Sequence, residues 1–522
     1  MSRRLIYGCL VLIFVIALVV RLWGLSFGLP HPSCRPDEAT IVEVACLIAA
    51  GDPNPHFFHY PSLMIYLLAA WFGLRDAILA AVGGGFVPAC DIPILPPSDL
   101  LLAARYISTM AGAVTVLPVF VAARRLAGDG VALISALLLA LCYPHVRESH
   151  FGTTDVLMTL FIALAAAEIV RYTDPESPST HAHRAGFLAG LAASTKYAGA
   201  MLLVPFLWAH IERIRRSGNT FWFASANNRT VLAFIVTATA GFLFTTPFAL
   251  LDIHAFLRDL GSEMGHLAEG HVSGDTRFDL GRGWWFHARY TLLLGLGLPW
   301  CLLAIAGAVW LILRKRPGGV ALLLFPVIYY LYAGSGRTVL VRYMVPMLPY
   351  FCICAAIAIY AFASYVRRIP ATAGIVLTLL VLIVPLRSTI CFDRLLATTD
   401  SRLLATQWLA QHVPSGASVY MTGLTHGQPQ CPPELRSWTR KTGGLSDFMV
   451  IPRHPLRFSW VPVWVEDMLY KDYRLIHTIQ AFDPSVHGNM YDQLDAFYLP
   501  YAGLYGVERQ GPNIEIYERI HR

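Results

Sequence analysis

Long apolar runs separated by short polar or basic segments fill the first three quarters of the chain. Several runs approach the roughly 20 apolar residues that carry a helix across a bilayer. The first, Leu5–Leu25, follows Arg3 and Arg4 and is too long for a secretory signal core. No small-x-small cleavage site follows it, so it reads as an uncleaved first span with its arginines cytoplasmic. A polar stretch rich in Pro, His and acids, HPSCRPDEATIVEVACLIAAGDPNPHFFHYPS, then predicts a long outer loop. Leu63–Val82 is apolar but carries Arg75 and Asp76, costly at a bilayer centre, and is expected to be interfacial or partly inserted. Leu101–Ala123 spans and delivers Arg124 and Arg125 to the cytoplasm. Val131–Tyr143 exits at HVRESHFGTTD, and Val156–Val170 returns. Residues 186–211 are apolar around STKY with basic residues at both ends, which predicts two short helices with Lys196 near their apex. Val231–Leu251 exits to a polar loop over residues 252–285, and the next run returns to Arg314–Arg316. Ala321–Ala333, Met344–Phe362 and Ile375–Leu386 complete about eleven crossings. Basic residues at Arg213–Arg216, Arg314–Arg316 and Arg367-Arg368 then lie inside and the tail outside.

Near Thr389 the pattern changes. DSRLLATQWLAQHVPSGASVYMTG predicts a helix, a turn and a strand, and FSWVPVWV and IEIYERI predict further strands. The fold class expected is therefore a multi-pass α-helical membrane protein over residues 1–389 with an extracytoplasmic α/β domain over 390–522. Composition agrees: 56% of residues are hydrophobic and 14% charged, against about 25% charged in soluble domains. The net charge of +7 fits basic inner loops. Without a basic stripe interleaved with aromatics, or zinc-finger spacing, it does not point to nucleic acid. Among the ten cysteines, Cys9, Cys142, Cys301, Cys352 and Cys354 lie in apolar segments. Cys34, Cys46, Cys90, Cys391 and Cys431 fall outside or near the outer face, where spacing leaves any pairing open.

Four groups of reactive side chains share the outer side in this topology: Asp37-Glu38, the stretch His150–Asp155, Lys196, and Arg337 with Arg342 and Tyr343. Carboxylates and cations converging on one face suit transfer of a group from an anionic leaving group. A carboxylate takes the proton of an acceptor hydroxyl, and cations stabilise the departing phosphate. Each residue also has a structural explanation. Asp37 and Glu38 after Pro36, and Asp155 after two threonines, suit the first turn of a helix; Arg342 near a helix end can snorkel. Lys196 amid some 25 apolar residues is harder to explain structurally. His56, His59, His266 and His271 show no H-E-x-x-H or Cys-x-x-Cys spacing, so a metal is left unassigned.

These segments together resemble the GT-C fold glycosyltransferases, especially bacterial relatives of protein O-mannosyltransferases and of lipid A aminoarabinose transferases. The resemblance rests on RLWGLSFGLP, RPDEAT, HYPSLMIYLLAAWFGL, LLAARYISTMAGAVTVLPVFVAARRLAG, SHFGTTDVLMTLF, GFLAGLAASTKYAGAMLLVPF, TTPFALLD and VRYMVPMLPY, in that order. It implies a polyprenyl-phosphate-linked sugar donor entering from the bilayer and an acceptor glycan, lipid or protein. Asp37 is then the base, Glu38 its support, and Asp155 a second acid near acceptor or metal. Lys196 and Arg342 meet the donor phosphate, with Tyr343 and His150 as further substrate-binding candidates. Some branches of the family use a divalent cation. One Pro61 stands where aminoarabinose transferases carry a double proline. The location implied is the inner (plasma) membrane. A transporter or flippase of lipid-linked glycans is the competing reading; inverted repeats and mid-membrane broken helices are its marks, and no repeat is visible here.

Overall fold

The computed structural model describes residues 2–82, 98–218, 225–273, 276–278, 280–366, 369–439 and 445–520. Cys90, Arg367 and Arg368 lie outside the described residues. The chain divides into two compact units. One comprises residues 1–22, 41–94 and 103–389, the other residues 23–40, 95–102 and 390–522.

The first unit is helical. Among the described residues, six helices are long and apolar enough to cross a membrane, or eight if each of two bent pairs is one span. That is fewer than the eleven crossings expected. Some remaining helices are short, such as Thr180–Ala193 and Leu203–Arg216; Thr154–Tyr172 is long enough but carries Asp155, Glu168 and Arg171. Leu63–Ala81, expected at the interface, is one continuous helix that meets the length and composition of a span, with Arg75 and Asp76 paired at 2.9 Å.

Two predicted loops are helices instead. Tyr143–Ser149, read as an exit loop, is a helix with every residue buried, started by Pro144 in its first turn. It meets Asp129–Ala140 at a 54° bend. Arg21, fully buried, fills this bend. Its guanidinium donates to the carbonyls of Leu139 at 3.2 Å and Ala140 at 3.0 Å, and contacts His145 Nδ1 at 3.0 Å. The Ala140 carbonyl, freed at the break, thus gains a partner. Ile253–Glu269, read as part of a polar loop, is a 17-residue helix capped by the Asp252 carboxylate, which accepts from the Ala255 amide.

Small residues let helices meet closely where no water drives them together. Thr180–Ala193 packs on Ser225–Thr245. There a Cβ on Gly190 would stand 2.1 Å from the Ala238 carbonyl oxygen, and one on Gly186 2.4 Å from that of Phe234. Gly190→Val should therefore cost about 1–3 kcal/mol through overpacking and lower the thermal unfolding midpoint of the purified protein. Gly8→Ala, with nothing within 4 Å of its added Cβ, is the control and should leave the midpoint unchanged.

The second unit holds a five-stranded sheet. With a hairpin in the first unit as β1 (His271–Ser273) and β2 (Thr276–Phe278), its strands are β3 (Ser418–Met421), β4 (Arg436–Ser437), β5 (Phe448–Arg453), β6 (Tyr473–Ile479) and β7 (Asn513–Arg519). The order is β4-β3-β5-β7-β6, parallel from β4 to β5 and antiparallel at β7. One face, with Val419, Val450, Ile514 and Ile516, packs with Ala405 and Leu409 of the helix Ser401–His412. The other, with Met449 and Ile451, packs with Val465 and Leu469 of the helix Val463–Asp472. The run FSWVPVWV thus forms no strand. Pro462 precedes that helix as its N-cap residue, and packing overrides the β-propensity of its valines and tryptophans. IEIYERI and SVYM are strands as read.

Candidate functional site

In the first unit, three sequence candidates come together. Asp155 lies in the first turn of Thr154–Tyr172. Lys196 sits in extended backbone between Thr180–Ala193 and the 3₁₀ turn Tyr197–Leu202, the break predicted for it. Its ammonium donates to Asp155 Oδ1 at 2.8 Å, with the two side chains 17% and 2% exposed. The same ammonium stands 4.9 Å from the ring centroid of Tyr343. The carboxylate answers the cost of a lysine among apolar residues, and the ring face adds a second attraction. Tyr343 is carried by the 3₁₀ turn Val341–Met347, where Arg342 is also buried.

The segment before Leu63 is tied to this break. Tyr197 Oη donates to the Phe58 carbonyl at 2.6 Å, and the Leu63 amide to that of Ser194 at 3.0 Å. The Phe58 amide donates in turn to Asp259 at 2.9 Å. Glu263 and Tyr60 act electrostatically on Tyr343. Asp259 and Glu263 are carboxylates the sequence reading missed, because the helix Ile253–Glu269 looked like a loop. His150 is buried and bonded at Nδ1 to the Val146 carbonyl at 2.9 Å, within its own helical turn. The Arg337 amide donates to the Leu267 carbonyl at 2.9 Å.

Asp37 and Glu38 belong to the second unit. They lie not in a loop but in the first turn of the helix Pro36–Ala49, Glu38 fully buried and Asp37 partly exposed. The residues before them are held by the tail. Arg35 and Asp495 form an ion pair, 1% and 4% exposed. His31 donates from Nε2 to the Gln428 carbonyl at 2.8 Å and accepts the Ser33 amide at Nδ1 at 3.2 Å. The Cys34 thiol reaches the Gly28 carbonyl at 3.3 Å and Asp400 at 3.8 Å. Asp400, fully buried, accepts from the backbone and guanidinium of the equally buried Arg402 at 2.8, 2.9 and 2.6 Å. Arg402 also donates to the His426 carbonyl. The His426 imidazole bonds the Ser33 carbonyl and feels the charges of Asp37 and Asp495. None of Arg35, Asp400, Arg402, His426 or Asp495 was singled out from the sequence; only Arg35, next to Pro36-Asp37, carried any signal.

Burial first, then the Arg402 charge, lowers His31 to about 4. The unfolded chain therefore takes up this proton near 6.5, before the folded one does. Stability falls with pH between about 6.5 and 4, by up to about 1.4 kcal/mol per unit for the site, and levels off below. In His31→Asn this contribution should vanish. Unfolding midpoints of both proteins across that window check it, and equal slopes would remove His31 as a source.

Among the described residues no three His, Cys, Asp or Glu side chains gather as a metal would need.

A family model for dolichyl-phosphate-mannose-protein mannosyltransferase matches residues 98–241. No curated protein matches by sequence. Among solved structures, ArnT from Cupriavidus metallidurans bound to undecaprenyl phosphate is 15% identical, with 98% of each chain covered and a TM-score of 0.52. The Archaeoglobus fulgidus oligosaccharyltransferase in its apo form is 12% identical, with a TM-score of 0.52 over 80% of this chain. The chain spans 62% of the length of that archaeal enzyme. The expected resemblance holds: residues 98–241 match the mannosyltransferase model and the chain has the fold of the GT-C glycosyltransferases.

Proposed function

We propose that the chain is an inverting glycosyltransferase that moves a sugar from a polyprenyl-phosphate donor to an acceptor hydroxyl on the extracytoplasmic side of the inner membrane. The observation that carries this is the Lys196 ammonium held between Asp155 and Tyr343, on a fold shared with a protein that binds undecaprenyl phosphate. Lys196 and Arg342 bind the donor phosphate, with Tyr343 and His150 in the surrounding wall, and Asp155 holds the Lys196 ammonium in place. Asp37 takes the acceptor's proton, with Glu38 in support. The acceptor oxygen bonds to the anomeric carbon from the face opposite the leaving group. The bond from that carbon to the phosphate oxygen breaks, and its electron pair leaves with the lipid phosphate. The acceptor is a glycan, lipid or protein. The membrane domain comprises residues 1–389 in about eleven crossings, and residues 390–522 form an outer α/β domain.

The test is release of lipid phosphate from a polyprenyl-phosphate sugar by purified protein. Movement of the donor between leaflets without cleavage would overturn the reading. Lys196→Ala should weaken donor use about tenfold to a hundredfold, since a charge-assisted hydrogen bond contributes about 1.5–3 kcal/mol. Acceptor affinity should change little. Wild-type kinetics across a full donor titration would remove the phosphate assignment.

A further inference from the structure

The second unit carries a cleft of about 680 Å³ that none of the chemistry above uses. Its size falls in the range of small-molecule sites. Strands β5, β6 and β7 and the loop through Tyr491 line it. The two charges in its wall cancel: Arg453 bonds Glu515 at 2.9 Å and pairs with Glu466 outside the cleft. The rest of the wall holds no carboxylate, lysine or arginine and is rich in hydrogen-bonding groups, with Thr478, Gln480, His487 and Asn489 beside the rings of Phe482 and Tyr491.

Two polar atoms in this wall are buried and lack partners among the described residues: His454 Nε2 and Asn489 Oδ1. The Leu456 amide donates to His454 Nδ1 at 3.1 Å, so in the neutral ring the hydrogen sits on Nε2. Burial, then Arg402, lowers this histidine to about 3, so the ring stays neutral. The wall therefore holds one unpartnered donor and one unpartnered acceptor. An anion cannot serve the acceptor and an ammonium cannot serve the donor, whereas a hydroxyl serves either. The His454 ring stands edge-on to Phe482 and Tyr491, with centroids at 5.2 and 4.6 Å, which fixes it in place.

We propose that this cleft is a docking site for a neutral oligosaccharide. A sugar ring combines hydroxyls that both donate and accept with apolar C–H faces, the mixture that these amides, hydroxyl and rings present. The inference rests on the second unit alone and stands apart from the transferase reading.

The experiment overlays labelled full-length protein in nanodiscs on an array of neutral oligosaccharides, acidic oligosaccharides and peptides. A Gln480→Ala/His487→Ala double variant changes two exposed side chains. Wild type should retain at least one neutral oligosaccharide. The double variant should bind it about tenfold more weakly, the loss of two neutral hydrogen bonds. Thr478→Trp, which fills the cleft from an exposed strand position, should lose it as well. Retention of no neutral oligosaccharide, retention of acidic glycans or peptides alone, or equal retention by both variants overturns the proposal. Unchanged unfolding midpoints keep a loss of binding separate from a loss of fold.

Discussion

Asp37→Asn should insert, fold and bind the donor normally, yet lose about 10²–10⁴-fold in turnover, the contribution of a positioned general base. The acceptor hydroxyl is a weak nucleophile until its proton is taken. Asparagine keeps the carboxylate's shape and hydrogen bonding but cannot take that proton. Asp37 is partly exposed in a first helical turn, where an acid also favours the helix by about 0.3–1 kcal/mol. A helix-starting role alone thus predicts a slightly lower melting temperature and near-normal turnover. Glu38→Gln should behave differently. Glu38 is fully buried, so its loss should show in stability as well as in rate, with a smaller effect on rate than that of Asp37. Melting temperature and turnover are measured on the same sample. Unchanged melting with more than about a tenth of wild-type turnover would falsify the base assignment. Asp155 would be the next candidate, although its carboxylate is already held by Lys196.

Arg402→Ala should destabilise the second unit by about 3–5 kcal/mol, the cost of leaving one partner of a buried ion pair behind. Both Arg402 and Asp400 are fully buried. Without the guanidinium, the Asp400 carboxylate retains the Arg402 amide and the Cys34 thiol, and the His426 carbonyl loses a donor. Replacing both partners, as Arg402→Met with Asp400→Leu, should recover much of the loss, because two apolar groups leave no orphaned charge. Chemical unfolding followed by tryptophan fluorescence reads both variants. A single variant within about 0.5 kcal/mol of wild type, the usual spread of inert surface changes, would show that the pair contributes little.

The Lys196 site was legible because membrane segments punish charge. A lysine in the middle of an apolar stretch, flanked by basic ends, implies both a break and a partner. Arg21 obeys the same rule, but its role as donor to the carbonyls at residues 139 and 140 depends on a bend that no local pattern marks. Local signals misled wherever tertiary packing decides. HVRES reads as polar loop until Arg147 and Glu148 pair with each other. FSWVPVWV reads as strand until Pro462 and the packing of Val465 against the sheet make its end helical. The partner of Arg35 was illegible for a simpler reason, since Asp495 lies 460 residues away. The expected tally of crossings depended on counting every apolar run as a full span, and short or bent helices do not settle that count.

The dependence of residues 23–40 on the tail bears on how such proteins can be recombined. Arg35, His31 and Cys34 each bond a residue beyond Thr389. A chain cut at that point would keep Asp37 but strip its approach of Asp495, Gln428 and Asp400. The tail is therefore not a detachable module. A chimera that borrows a relative's tail should fail unless residues 23–40 travel with it, so the segment bearing Asp37 and the tail form one unit of inheritance split across the two ends of the chain.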